Sequence, residues 1–163
     1  MEDLTITKHL TRKISRHWLL KKNHPIVVEN CRWANDFEAD VVTVNKNDYV
    51  TEFEIKISRS DFKADFKKKD KKHYFLANGG SYTSPNYFYF VTPPGLLKDF
   101  NVPEKYGWIT INSDGDITVE KTAKIIHKQK VKSEFVVKML KVVSERLLLG
   151  SSKLAYINEN GNE

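Results

Sequence analysis

Residues 51–69 read TEFEIKISRSDFKADFKKK, and their first half encodes a strand with two unlike faces. Phe53, Ile55 and Ile57 alternate as an apolar face, while Glu52, Glu54 and Lys56 fall on the other. A lysine-rich helix follows at once, with Ser60 as its N-cap and Phe62 and Phe66 one turn apart. Carboxylates at i and i+2 on a strand stand roughly 7 Å apart. At an effective dielectric of about 20 such a pair repels by about 2 kcal/mol. A face holding several acids therefore needs a cation or a raised pKa. The plainer reading is a solvent-facing strand whose charges keep an edge soluble.

Working outward, Thr5 to about Lys22 reads as a helix with Leu10, Ile14 and Trp18 on one side, ended by His24-Pro25. Ile26–Val28, Asp40–Val44 and Tyr49–Ser58 read as strands. The turn sequence Asn45-Lys46-Asn47-Asp48 joins the last two into a hairpin. The helix from Ser60 stops before Asn78-Gly79-Gly80, and Tyr87–Val91 is an apolar run suited to a buried strand. Because a helix links the third strand to the fourth, those two should run parallel. Trp108–Ile111 and Ile117–Glu120 form a further hairpin turning at Asp114-Gly115. A final helix, about Val131 to Leu149, carries an apolar stripe of Phe135, Val136, Met139, Leu140, Val143 and Leu147 to cover the sheet. The expected architecture is α/β: an αβββαβ core with a mixed sheet flanked by helices, plus a C-terminal hairpin and helix. Residues 1–150 form one domain, and 151–163 a polar, frayed tail.

The chain has 163 residues, 40% of them apolar, which is enough for one proper core. A single cysteine excludes an intrachain disulfide and disfavours a cysteine zinc site. No apolar run is long enough to span a bilayer, and the polar N-terminus is unlike a secretory signal, so a cytoplasmic protein is expected. Net charge is +6 but uneven: residues 8–22 carry +6 and residues 56–72 carry +5, leaving the remainder at −5. Concentrated positive charge suits a polyanion partner, although solvated helix faces would look the same.

If Lys46-Asn47-Asp48 is a three-residue loop, Asp40 lies opposite Glu54, and one face then gathers Asp40, Glu52, Glu54 and Lys56. Two or three carboxylates with water suit Mg²⁺, or Mn²⁺, and leave positions open for phosphate. Asp40 and Glu54 would bind the metal, and Lys56 would orient or deprotonate an attacking water. Glu52 and Ser58 could support them from behind. The chemistry is phosphodiester hydrolysis.

These residues also carry a resemblance. Asp40, with Glu54-Ile55-Lys56 on the next strand, resembles the (P)D…(D/E)xK signature of the PD-(D/E)XK nuclease superfamily, whose αβββαβ core matches residues 5–92 in element order. EADVVTV at 38–44, FEIKISRSDFKADFKKKDKKHYF at 53–75 and NYFYFVTPPGLL at 86–97 resemble the MmcB-like DNA-repair branch and related small phage-encoded proteins. The resemblance implies a restriction-endonuclease-like fold, Asp40, Glu54 and Lys56 as catalytic residues, Mg²⁺ as cofactor and DNA as substrate. Ala39 stands where the signature has proline, and residues 5–22 lack the glutamate that many members place there as a further metal ligand. DNA phosphates would be met by Lys13, Arg16, Arg59, Lys63, Lys67, Lys68 and Lys71.

Other signals are weaker. The five histidines show no H-x-H or H-E-x-x-H spacing, and His73 reads as packing or surface. Asp61 and Asp65 read as partners of helix lysines rather than metal ligands. Asn112–Asp116 reads as a hairpin turn rather than a calcium loop. Two rival readings stand beside the nuclease: a catalytically inactive nuclease-fold DNA-binding adaptor, and a phage accessory protein that binds a host protein. Either a monomer or a homodimer is compatible with the sequence.

Overall fold

A computed structural model describes residues 2–34 and 36–150, so the expected tail at 151–163 lies outside the described residues. The chain runs α1 (Glu2–Leu20), β1 (Ile26–Cys31), β2 (Ala39–Val44), β3 (Val50–Ile55), α2 (Arg59–Lys68), α3 (Asp70–Ala77), β4 (Tyr87–Thr92), β5 (Gly107–Ile111), β6 (Ile117–Lys121) and α4 (Ser133–Leu149). The strands form one mixed sheet in the order β1-β2-β3-β4-β5-β6. β3, β4 and β5 run parallel, and the remaining pairs are antiparallel. The αβββαβ order, the parallel crossover and the terminal hairpin and helix are therefore present.

The hairpin sets the register. Asn45 N donates to Tyr49 O at 3.0 Å, and Asp48 takes the left-handed conformation at φ 64°. Lys46–Asp48 is thus a three-residue loop, braced by the Asn45 side chain, which accepts from the amides of Asn47 and Tyr49. Val42 pairs with Glu52 and Val41 with Phe53, so the same register brings Asp40 opposite Glu54.

Two faces follow from the strand period of two. On one, α1 lays Leu10, Ile14 and Trp18 over Val41, Phe53, Ile55, Val91, Ile109 and Ile111. The other face is divided. α4 covers Val28, Val42, Val44 and Val50 through Met139, Phe135 and Val143, while Phe62 and Leu76 of α2 and α3 pack on Phe88 and Phe90. Glu52 and Glu54 lie between these two apolar clusters, on the strand that separates them.

Several boundaries differ from expectation. α1 begins at Glu2, before Thr5 and Thr7. β3 ends at Ile55, although Lys56 N still donates to Val91 O at 2.9 Å. Ser58, not Ser60, caps α2: its extended backbone turns the chain, and its hydroxyl accepts from Asp61 N at 3.1 Å. The expected single helix breaks at Lys69, whose ψ of 35° and φ of −119° separate α2 from α3. The apolar stripe of α4 is only half used, since Leu140 and Leu147 are exposed.

Asn86, just before β4, ties the sheet to the segment leading into α4. Its side-chain oxygen accepts from Val50 N at 2.7 Å, and its amide donates to His127 O and Gln129 O, both at 2.9 Å. Substitution Asn86→Ala leaves these buried groups unpaired and should cost about 3 kcal/mol, read as a lower urea midpoint at unchanged slope.

Candidate functional site

The charged face of β3 does not meet solvent. Glu52, Glu54 and Lys56 are 1%, 3% and 5% exposed, covered by the inner side of α2 and α3. That inner side is itself charged. Asp65, Lys69, Lys72 and His73 recur at roughly helical spacing and point toward the strand.

Two linked groups result. In the first, Lys56 Nζ lies 3.1 Å from Glu54 Oε1 and 2.8 Å from Asp65 Oδ1, with Asp61 at 3.9 Å. Lys69 Nζ reaches the same Glu54 oxygen at 2.5 Å. Asp65 accepts from His73 Nε2 at 2.7 Å, and His73 Nδ1 contacts the Tyr106 hydroxyl at 2.9 Å. In the second group, Glu52 accepts from Trp33 Nε1 at 2.6 Å and pairs with Lys72 Nζ, also at 2.6 Å.

Asp40 enters from the neighbouring strand, its Oδ2 accepting from Ile55 N at 2.6 Å. Burial, then the charge of Glu54, pushes its carboxyl up to about 6. Burial alone would depress the Lys56 ammonium, but Glu54 and Asp65 hold it well above the usual lysine range. Asp65 is opposite in sense: burial works against its charge, yet bonds from His73 and Lys56 keep it well below the carboxylate range. Lys56 is thus a fixed cation. In this arrangement it can donate to and orient a water.

Among the described residues, no group of three or more His, Cys, Asp or Glu converges to hold a metal. Two carboxylates are available, Asp40 and Glu54, and Glu54 Oε2 is buried without a hydrogen-bond partner. A donor pair with one orphaned oxygen fits a hard divalent cation that keeps most of its water. The competing cations are Lys56 and Lys69, both on the other Glu54 oxygen.

The remaining sequence-derived residues scatter. Glu52 is held by Trp33 and Lys72, and Ser58 caps α2 while contacting Ser60 Oγ at 3.0 Å. Lys13 and Arg16 belong to α1, on the sheet face opposite α2, so they share no single layer with Arg59, Lys63, Lys67, Lys68 and Lys71. Lys13 lies against Gly115, where any Cβ would collide with it. Arg59 pairs with Asp99 at 3.0 Å, and both Arg59 and Lys63 stand over Phe100. Lys67, Lys68 and Lys71 are exposed. Sequence reasoning paired Asp65 with helix lysines, as its contact with Lys69 has it, but missed its pairing with Lys56 and missed Lys69 and Lys72 as partners of the strand acids. Their spacing along the helices, set against the charged strand face, was the available signal.

No family model and no curated protein matches the chain. Among solved structures it is similar to SPO1766, a protein of unknown function from Silicibacter pomeroyi, at 19% identity and a TM-score of 0.64. The match covers 85% of this chain and 86% of that one, and establishes a shared mixed α/β fold. Among the described residues no helix is long and apolar enough to cross a membrane.

Two predictions follow from these charges. The folded state holds the Asp40 proton more tightly than the unfolded chain, so Asp40 lowers stability increasingly as pH rises from about 4 through about 6. Asp40→Asn should therefore raise stability by up to about 3 kcal/mol at pH 8, with the gain vanishing below pH 4, measured by urea unfolding across pH. Lys72→Met should cost about 3–5 kcal/mol by stranding Glu52, and Glu52→Gln in the same chain should recover much of it.

Proposed function

We propose that the protein is a metal-dependent phosphodiesterase acting on DNA, a nuclease of the PD-(D/E)XK type. The observation that supports this most is the pairing of Asp40 and Glu54 across β2 and β3, with Glu54 Oε2 buried and unpartnered beside the Lys56 cation. The resemblance in residues 38–97 points the same way, and so does the basic α2–α3 surface. The biological setting that goes with it is DNA repair, recombination or phage DNA processing, in the cytoplasm, by a monomer or homodimer.

In this reading Asp40 and Glu54 would hold Mg²⁺ or Mn²⁺, which when bound would supply Lewis-acid charge next to the phosphate. Asp40 is pre-set by the Ile55 amide, so its carboxylate loses little freedom on binding. Lys56, held by Glu54 and Asp65, donates a hydrogen bond that orients the attacking water and offsets charge growing on the phosphate. Asp65 is a positioning residue, itself fixed through His73 to Tyr106.

A second reading has one observation in its favour. Lys56 and Lys69 already neutralise one Glu54 oxygen, which suits a DNA-binding adaptor that needs no metal and cleaves nothing.

The test is incubation with plasmid, single-stranded and branched DNA in Mg²⁺ or Mn²⁺, alongside Asp40→Asn. Lys56→Ala is a poorer control, because it strands the buried Glu54 and Asp65 and threatens the fold. Cleavage by the wild type and at least 100-fold less by Asp40→Asn is expected, with Mn²⁺ raising the melting temperature of the wild type alone. DNA binding without cleavage or a metal-dependent shift would favour the adaptor.

A further inference from the structure

An apolar groove of about 600 Å³ runs between α3 and the loop before β4, lined by Phe37, Tyr74, Phe75, Leu76 and Pro85 with Lys71 at its side. Tyr74 and Phe75 are 73% and 40% exposed, which is unusual for adjacent aromatics on a short helix. We infer that this groove takes an unpaired base of single-stranded DNA, with the strand's phosphates on Lys67, Lys68 and Lys71.

Three observations carry the assignment. Lys67, Lys68 and Lys71 are exposed and form no ion pair among the described residues, so positive charge lies free on the segment that leads to the aromatics. Aromatic faces beside a basic track are the recurrent means of holding single strands, because every base has a ring face to stack. A base inside a duplex has both faces covered by its neighbours, so only an unpaired base can enter a groove of this kind.

The third observation is continuity with the candidate site. Lys72 lies at the groove and pairs with Glu52, while Lys69 pairs with Glu54. Glu52 and Glu54 are one strand repeat apart, roughly 7 Å, close to a single step along an extended nucleotide chain. Phe37 likewise lies in the loop that delivers Asp40. A strand whose phosphate lies at Asp40 and Glu54 would have to run along α3, past the Lys69 and Lys72 pairs, to place a base in the groove. This use of the groove rests on the nuclease reading, whereas base binding itself does not.

The experiment measures anisotropy of labelled oligothymidylate and of a duplex of equal length, in EDTA, against the wild type, Tyr74→Ala and Phe75→Ala. Tighter binding of the single strand is expected. Each aromatic substitution should weaken it about tenfold while leaving duplex affinity and the salt dependence unchanged. Wild-type affinity in Tyr74→Ala and Phe75→Ala, or a preference for duplex, would overturn the assignment. Tighter binding of oligouridylate than of oligothymidylate would overturn the choice of DNA. Because no metal is present, the outcomes separate. Aromatic-dependent binding by a wild type that cleaves nothing leaves the groove standing and removes the nuclease. Metal-dependent cleavage with unaltered binding in Tyr74→Ala and Phe75→Ala does the reverse.

Discussion

The structure depends on how a strand at the centre of its sheet buries two glutamates. β3 has hydrogen-bonded neighbours on both sides and helices over both faces, so Glu52 and Glu54 cannot reach water by choosing an edge. Each buried carboxylate carries a desolvation cost of several kcal/mol unless a cation is fixed against it. Lys72 meets Glu52, and Lys56 and Lys69 meet Glu54. Lys56 and Lys69 together exceed what Glu54 alone requires, and Asp65 restores the balance. The break between α2 and α3 belongs to the same arrangement. Lys69 stands at the break and pairs with Glu54, while the new helix directs Lys72 and His73 inward.

Such a seam is poor economy for stability alone, since well-packed apolar residues of similar volume would often do as well or better. One corner of it is left incomplete. Glu54 Oε2 is buried without a partner, and Asp40 beside it is pushed up to about 6 by burial and by Glu54. Glu52, one strand repeat away, accepts from Trp33 on one oxygen and meets the Lys72 ammonium on the other, although that contact is not a well-aligned hydrogen bond. Glu52 Oε2 has an ammonium 2.6 Å away, whereas the two cations of Glu54 both lie on its other oxygen, Oε1. That contrast separates a structural ion pair from a candidate binding centre on the same strand face.

Much of this was legible in the sequence. The alternation of Phe53 and Ile55 with Glu52 and Glu54 identified the strand and its two faces. Asn45–Asp48 marked the hairpin turn but allowed a two- or a three-residue loop, and the structure takes the three-residue one that aligns Asp40 with Glu54. The crossover rule gave the parallel β3–β4 pair. What stayed hidden was which side chains cover the acids. Lysines at 69 and 72 look like those at 67, 68 and 71 until the direction of each helix face is known, and the break at Lys69 changes that direction midway. Ser58 and Ser60 are equally good caps on paper, and the choice went to the residue that keeps an extended backbone at the strand exit. Nor does sequence say that α1 and α2 lie on opposite faces, which divides a charge pattern that looks continuous along the chain.

That division also bears on how a polyanion could be held. A partner lying flat on one layer would meet the lysines of α2 and α3 or the basic residues of α1, but not both. Arg59 and Lys63 are partly occupied by Asp99 and Phe100, which leaves Lys67, Lys68 and Lys71 as the cations without an ion pair among the described residues of α2 and α3. These three lie on either side of Lys69, which pairs with Glu54, and α3 continues from there to Tyr74 and Phe75. The basic side of α1, with Lys8, Arg12, Lys13 and Arg16 around a shallow concavity of about 610 Å³, has no acid pair beneath it. Its core side is the apolar row of Leu10, Ile14 and Trp18. Positive charge on α1 therefore lies over an apolar layer, whereas charge on α2 and α3 lies over the buried acids of β3.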